Sequence, residues 1–125
     1  MLKVRCAGLK DDRVYLQHIL DEIDYLQSLR DTVTFEELTT NITTEHAITR
    51  SLEIIGEASK NVPDQVKGQN PHIPWKFMAG LRDKIIHGYF AINYDIVWDV
   101  IQHKLPDLEP QIRALCYAMK PNDVK

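Results

Sequence analysis

The sequence predicts an all-α protein, an up-and-down helical bundle of four to five main helices. Three observations lead there. Apolar residues recur at three- and four-residue steps over several long stretches, the spacing of a helix that buries one face. No stretch shows sustained alternation or a hairpin turn between β-branched runs, so no strand is expected. No internal repeat and no low-complexity linker divides the chain. A chain of 125 residues fits one domain. That size buries roughly two thirds of the unfolded surface, enough for a real core.

The first helix is expected from about Asp11 to Ser28. Val14, Leu16, Ile19, Leu20, Ile23 and Leu26 form its apolar stripe. Asp11 and Asp12 suit the positive end of its dipole. His18 sits beside the stripe with no partner in the local sequence, and is read as structural or surface. Thr34-Phe35-Glu36-Glu37 has the pattern of a capping box, so a short helix should follow to about Thr40. A new start lies in Asn41-Ile42-Thr43-Thr44. The long helix after it runs to about Lys60, with Ala47, Ile48, Leu52, Ile55 and Ala58 inward. Gly56 lies inside that helix, where it costs about 1 kcal/mol relative to alanine. Close packing of another helix is the reading that explains it.

Val62-Pro63 ends the long helix. Pro63 to Ile73 contains Gly68, Asn70 and Pro71, a connector with room for one helical turn from Pro63 to Val66. The next helix starts at Pro74 and is expected to reach Gly88, whose freedom at positive φ suits a helix end. Asn93 is a plausible N-cap for a helix carrying Ile96, Val97, Val100 and Ile101. Pro106 should break or kink that pattern. A last helix from Pro106 to Met119 carries Leu108, Ile112, Leu115 and Cys116. Domain bounds follow: an N-terminal extension over 1–10, a helical domain over 11–119 and a frayed tail over 120–125. The extension is open to two readings, a flexible arm or an upstream start codon.

Composition narrows the function classes. With 44% hydrophobic and 26% charged residues the chain is not of disordered type. A net charge of -3 gives no general encouragement to nucleic-acid binding. Its distribution says more: Lys60 to Lys84 holds five Lys/Arg against two Asp/Glu, whereas Thr32 to Ser59 holds one against five. The basic segment runs into Leu81-Arg82-Asp83-Lys84-Ile85-Ile86-His87-Gly88-Tyr89-Phe90. Cys6 and Cys116 lack CxxC spacing, so neither a zinc site nor a disulfide framework is expected, and a reduced cytoplasmic protein is the simplest account. No run has the length of a membrane span.

Several chemistries can be set aside. No Gly-rich phosphate loop, HExxH or Ser-centred nucleophile elbow occurs. The five histidines are scattered without metal-ligand spacing, so no metal and no cofactor is expected. What remains is Arg82 with His87. A helix ending at Gly88 would hold His87 in its last turn, where unpaired carbonyls favour the imidazolium. Arg82 would lie roughly 7.5 Å earlier along the axis. The two fit RNA cleavage, because the substrate supplies its own nucleophile, the ribose 2′-OH. The histidine moves a proton and the arginine pairs with phosphate oxygens. The bland readings are a surface Arg82–Asp83 pair, a capping His87 and a core Tyr89.

The spacing Arg-x4-His-x-Tyr, carried by Arg82, His87 and Tyr89, resembles the signature of HEPN domains, and of HepT-like toxins in particular. The words Ile54-Ile55-Gly56-Glu57-Ala58, Ile73-Pro74-Trp75, His87-Gly88-Tyr89-Phe90 and Ile96-Val97-Trp98-Asp99 fit as well. The resemblance spans about Asp11 to Ala118. It implies a metal-independent endoribonuclease with Arg82 and His87 catalytic, in a homodimer whose cleft both copies build. Asp83 matches the polar residue that HEPN proteins usually carry after the arginine. Glu57 is a candidate for orienting Arg82. The resemblance also implies the toxin half of a type VII-like toxin–antitoxin pair. An MNT-type nucleotidyltransferase would neutralise it by transferring AMP to Tyr89, giving O-AMP-tyrosine. The alternative is a non-catalytic helical subunit that docks to such a nucleotidyltransferase or positions its substrate.

Overall fold

The computed structural model describes residues 13–87 and 91–119, with the backbone alone at His87. Expectations for residues 1–12, Gly88, Tyr89, Phe90 and 120–125 fall outside it. The described chain is an all-α bundle. It contains α1 (Arg13–Arg30), α2 (Phe35–Thr40), α3 (Ile42–Asn61), α4 (Asp64–Gln69), α5 (Trp75–Ala79) and α6 (Leu81–Ile85). After two short strands come α7 (Tyr94–Asp99), a π turn (Val100–Lys104) and α8 (Leu105–Ala118). No described helix is long and apolar enough to cross a membrane.

The apolar stripes build the core as their spacing requires. Leu16, Ile19, Leu20, Ile23 and Leu26 of α1 are buried, against Ile48, Leu52, Ile55 and Ala58 of α3 and Leu108, Ile112, Leu115 and Cys116 of α8. Polar links add register. Ser51 on α3 donates to Glu22 on α1 at 2.7 Å. Arg113 on α8 forks onto both oxygens of Asp24 on α1 at 2.8 and 3.1 Å. Hydrogen bonds donated to Glu109, Asp24 and Tyr117 hold the Arg113 guanidinium above its ordinary pKa.

Helix starts follow the local chemistry. Thr34 and Glu37 form the reciprocal capping box, each bond 3.0 Å. Asn41 caps α3 through Thr44 N–H at 3.0 Å, and Asn93 caps α7 through Ile96 N–H at 3.2 Å. The connector turn after Pro63 is helical as far as Gln69. Gly56 lies under α5 and α6: a Cβ there would stand 3.3 Å from the Met78 carbonyl oxygen and 3.9 Å from Leu81 Cβ. The glycine inside α3 is therefore a packing device, and it brings α5 and α6 against α3.

Two boundaries differ from expectation. The motif helix does not run unbroken to Gly88. It parts at Gly80 (φ -93°, ψ 9°) into α5 and α6, and α6 ends at Ile85. Residues 86 and 87 leave it as β1 and pair antiparallel with β2 (Ala91–Ile92), Ile86 opposite Ile92 and His87 opposite Ala91. Two β-branched isoleucines, both half-buried against the core, favour this ladder over another helical turn. The Asn93 N–H closes it onto the Ile85 carbonyl at 2.7 Å. Pro106, for its part, does not break its helix. The π turn precedes it, with the Leu105 N–H reaching five residues back to Val100, so α7 and α8 run on as one rod.

Candidate functional site

Arg82 is exposed because α6 buries Leu81 and Ile85 instead. Leu81 and Ile85 are buried under α3, four residues apart on one face of α6. The positions between them, Arg82, Asp83 and Lys84, are therefore turned outward, and all three are exposed. The Lys84 ammonium lies 5.7 Å from the centre of the half-buried Phe77 ring, a cation–π contact.

The acid facing Arg82 is Glu53. Its Oε2 is 4.0 Å from Arg82 Nε, and its Oε1 is 3.5 Å from Arg50 Nη1. Neither approach is a hydrogen bond, and an ion pair at this exposure is worth at most about 1 kcal/mol. Glu53 therefore biases the arginine without occupying its donors. The Arg82 side chain keeps 58% of its surface open. Among the described residues it makes no hydrogen bond, so its fork remains available to an anion.

Glu57 stands one turn further along α3, exposed, with its carboxylate 3.5 Å from Lys60. The structure thus sets Glu53 rather than Glu57 opposite Arg82. The sequence held a signal for this. Gly56 marks where α6 crosses α3, and the residue three before it shares that face, whereas Glu57 is turned about 100° away. Arg50, one turn before Glu53, was missed for the same reason. Asp83 is exposed and forms no ion pair among the described residues.

His87 sits two residues beyond the last helical residue, on β1. The expected last-turn placement is thereby corrected, and with it the argument that unpaired helix carbonyls charge its ring. The cause is the Ile86–Ile92 pair, which draws the chain out of the helix before His87 is reached. Tyr89 lies outside the described residues. Trp75, at the start of α5, is buried, its indole N–H donating to the Asn70 carbonyl at 3.0 Å. Among the described residues no three His, Cys, Asp or Glu side chains gather as a metal site would require.

The structure thus places an open arginine in the first turn of α6 and a histidine on the short ladder that follows it, and the chain as a whole is similar to known proteins. The chain is 42% identical over 107 residues to a protein of Caldanaerobacter subterraneus named "Putative RNase TTE0752", covering 86% of this chain and 96% of that one. It is 45% identical over 114 residues to "Putative RNase MJ0127" of Methanocaldococcus jannaschii, covering 91% and 94%. It is 38% identical over 101 residues to "Probable ribonuclease HepT" of Thermococcus cleftensis, covering 81% and 92%. No solved structure matches it. Residues 19–115 match the family model described as "Ribonuclease HepT-like", which takes in α3, α6 and both strands, and the chain belongs to that HepT-like ribonuclease family of the HEPN superfamily.

Proposed function

We propose that the protein is an endoribonuclease that cuts RNA through Arg82 and His87 without a metal ion. The observation that carries this reading is the Arg82 guanidinium, poised near Glu53 yet free to take a phosphate. Relatives whose names describe them as ribonucleases over nearly their whole length support the substrate class. In the reaction the ribose 2′-oxygen attacks the adjacent phosphorus and the P–O5′ bond breaks. One product ends in a 2′,3′-cyclic phosphate and the other in a free 5′-hydroxyl. His87 takes the 2′-OH proton or gives one to the leaving oxygen. Arg82 pairs with the non-bridging oxygens as charge builds on them.

A single histidine does not serve easily as base and acid at once. A homodimer with the two motifs facing across a two-fold axis supplies both. In this reading the protein is the toxin of a toxin–antitoxin pair, and an MNT-type nucleotidyltransferase silences it by adding AMP to Tyr89. The added phosphate, two residues from His87, would compete for Arg82. The test is RNA cleavage by wild type, Arg82→Ala and His87→Ala, each with and without EDTA. Cleavage should survive chelation and fail in both variants. Full activity in His87→Ala refutes the assignment.

A further inference from the structure

Glu53 does not serve Arg82 alone. Its carboxylate stands between two guanidiniums, Arg82 and Arg50, and cancels only one of their charges. Both arginines are open to solvent, Arg50 at 71% of its side chain. Neither makes a hydrogen bond to a described residue. The pair would be a weak structural device, since an exposed ion pair at this helical spacing is worth about 0.2–0.5 kcal/mol. It is well suited to presenting two phosphate-binding forks side by side.

Behind Arg50 the surface sinks into a cavity of about 260 Å³ between α1 and α3. Tyr15 and His18 line it from α1, and Ile54, Ala58 and Asn61 from α3. The lining combines two rings, two aliphatic side chains and an amide. The Asn61 amide donates one N–H to the Glu57 carbonyl at 2.9 Å, which leaves its Oδ1 and its second N–H for a ligand. The volume lies just under the roughly 300–1,000 Å³ of sites for drug-sized ligands, a scale that suits one base rather than a whole nucleotide cofactor. Glu57 on the rim disfavours a phosphate inside. The anion belongs at Arg50 and the base beyond it.

Resting on the ribonuclease reading above, we infer that Arg50 and this cavity form a subsite for the RNA nucleotide flanking the one cut at Arg82. Its phosphate lies on the Arg50 guanidinium, and its base lies against Tyr15 and His18. The RNA strand then runs along α3 from the Gly56 crossing toward α1. Bases on such platforms stack with little regard to sequence, so the subsite extends the footprint without imposing a strict base preference.

The experiment follows a labelled single-stranded oligouridylate binding to the His87→Ala protein by fluorescence anisotropy, across a salt series. Arg50→Ala added to that background should weaken binding roughly tenfold. It should also flatten the plot of log K against log salt by about 0.7, the loss of one single-strand phosphate contact. Arg50→Lys should keep the slope. Asn61→Ala should weaken binding several-fold with the slope unchanged, because it removes no ionic contact. In the otherwise wild-type protein, Arg50→Ala should raise KM for the same RNA and leave kcat within about twofold, a split expected of uniform binding. Binding with these losses but no cleavage by wild type would remove the ribonuclease reading and leave the subsite standing. Wild-type affinity and slope in Arg50→Ala, with cleavage intact, would overturn the subsite alone.

Discussion

Two glycines in helices give opposite predictions for the same substitution. Gly56→Ala in α3 and Gly68→Ala in α4 both gain the propensity of alanine, up to about 1 kcal/mol. At Gly68 a Cβ meets nothing within 4 Å, so the gain should appear in full as added stability. At Gly56 the new methyl would stand 3.3 Å from the Met78 carbonyl oxygen and 3.7 Å from that of Ala79. Both neighbours are backbone of α5 and cannot rotate aside. Overpacking of this kind costs about 1–3 kcal/mol. Gly56→Ala should therefore be neutral to about 2 kcal/mol less stable, and the two variants should differ by roughly 1–3 kcal/mol. Urea unfolding at one fixed protein concentration, with equal m-values, reads the difference directly. Gly56→Ala should also weaken RNA cleavage more than Gly68→Ala does, since it displaces the α5–α6 pair that carries Arg82. Equal stabilisation by both substitutions would show that α3 and α5 do not touch as tightly as described, and the account of Gly56 would fall.

Three further outcomes are expected. Ile85→Ala empties a fully buried position at the root of α6 and should lower unfolding stability by about 2–5 kcal/mol, measured by denaturant titration. Thr34→Ala removes one bond of the capping box and should cost about 0.5–2 kcal/mol with RNA cleavage unchanged, because α2 carries none of the proposed machinery. Incubation with the cognate nucleotidyltransferase and ATP should add AMP to Tyr89, visible by peptide mass spectrometry. Modification that persists unchanged in Tyr89→Phe would exclude that residue as the acceptor.

Sequence spacing revealed most of the bundle because helical burial is periodic. The stripes of α1, α3 and α8 were readable except at Val14 and Ala47, which are only half-buried, and so were the caps at Thr34, Asn41 and Asn93, whose side chains bond their own backbone a few residues on. The exit from α6 was not. A ladder of two pairs is too short to produce a visible alternation, and Ile85-Ile86 fits a helical face as well as a strand. The π turn was hidden likewise, since proline signals a break and the chain answered with a wider turn. Of the site, Arg82 could be placed by its buried neighbours. Its partner was missed because choosing Glu53 over Glu57 needs the crossing point of two helices, which Gly56 marks, and not only the helices themselves.

That crossing point explains how the two halves of the motif come to depend on different parts of the fold. Arg82 rides on a helix braced by Leu81 and Ile85 against α3, so its position is set by core packing. His87 follows after the helix has ended, and its backbone is set by the register of Ile86 on Ile92 and by the Asn93 N–H on the Ile85 carbonyl. A slip of one residue would take Ile86 off Ile92 and out of the core, and the loss of that apolar pair opposes it. Asn93 holds both ends of this arrangement, since its side chain also caps α7. The backbone placement of Arg82 and His87 is thus fixed by one helix crossing, the Ile86–Ile92 pair and one asparagine. Changes at Gly56 or Asn93, neither of which carries chemistry, should disturb it as surely as changes in the pair itself.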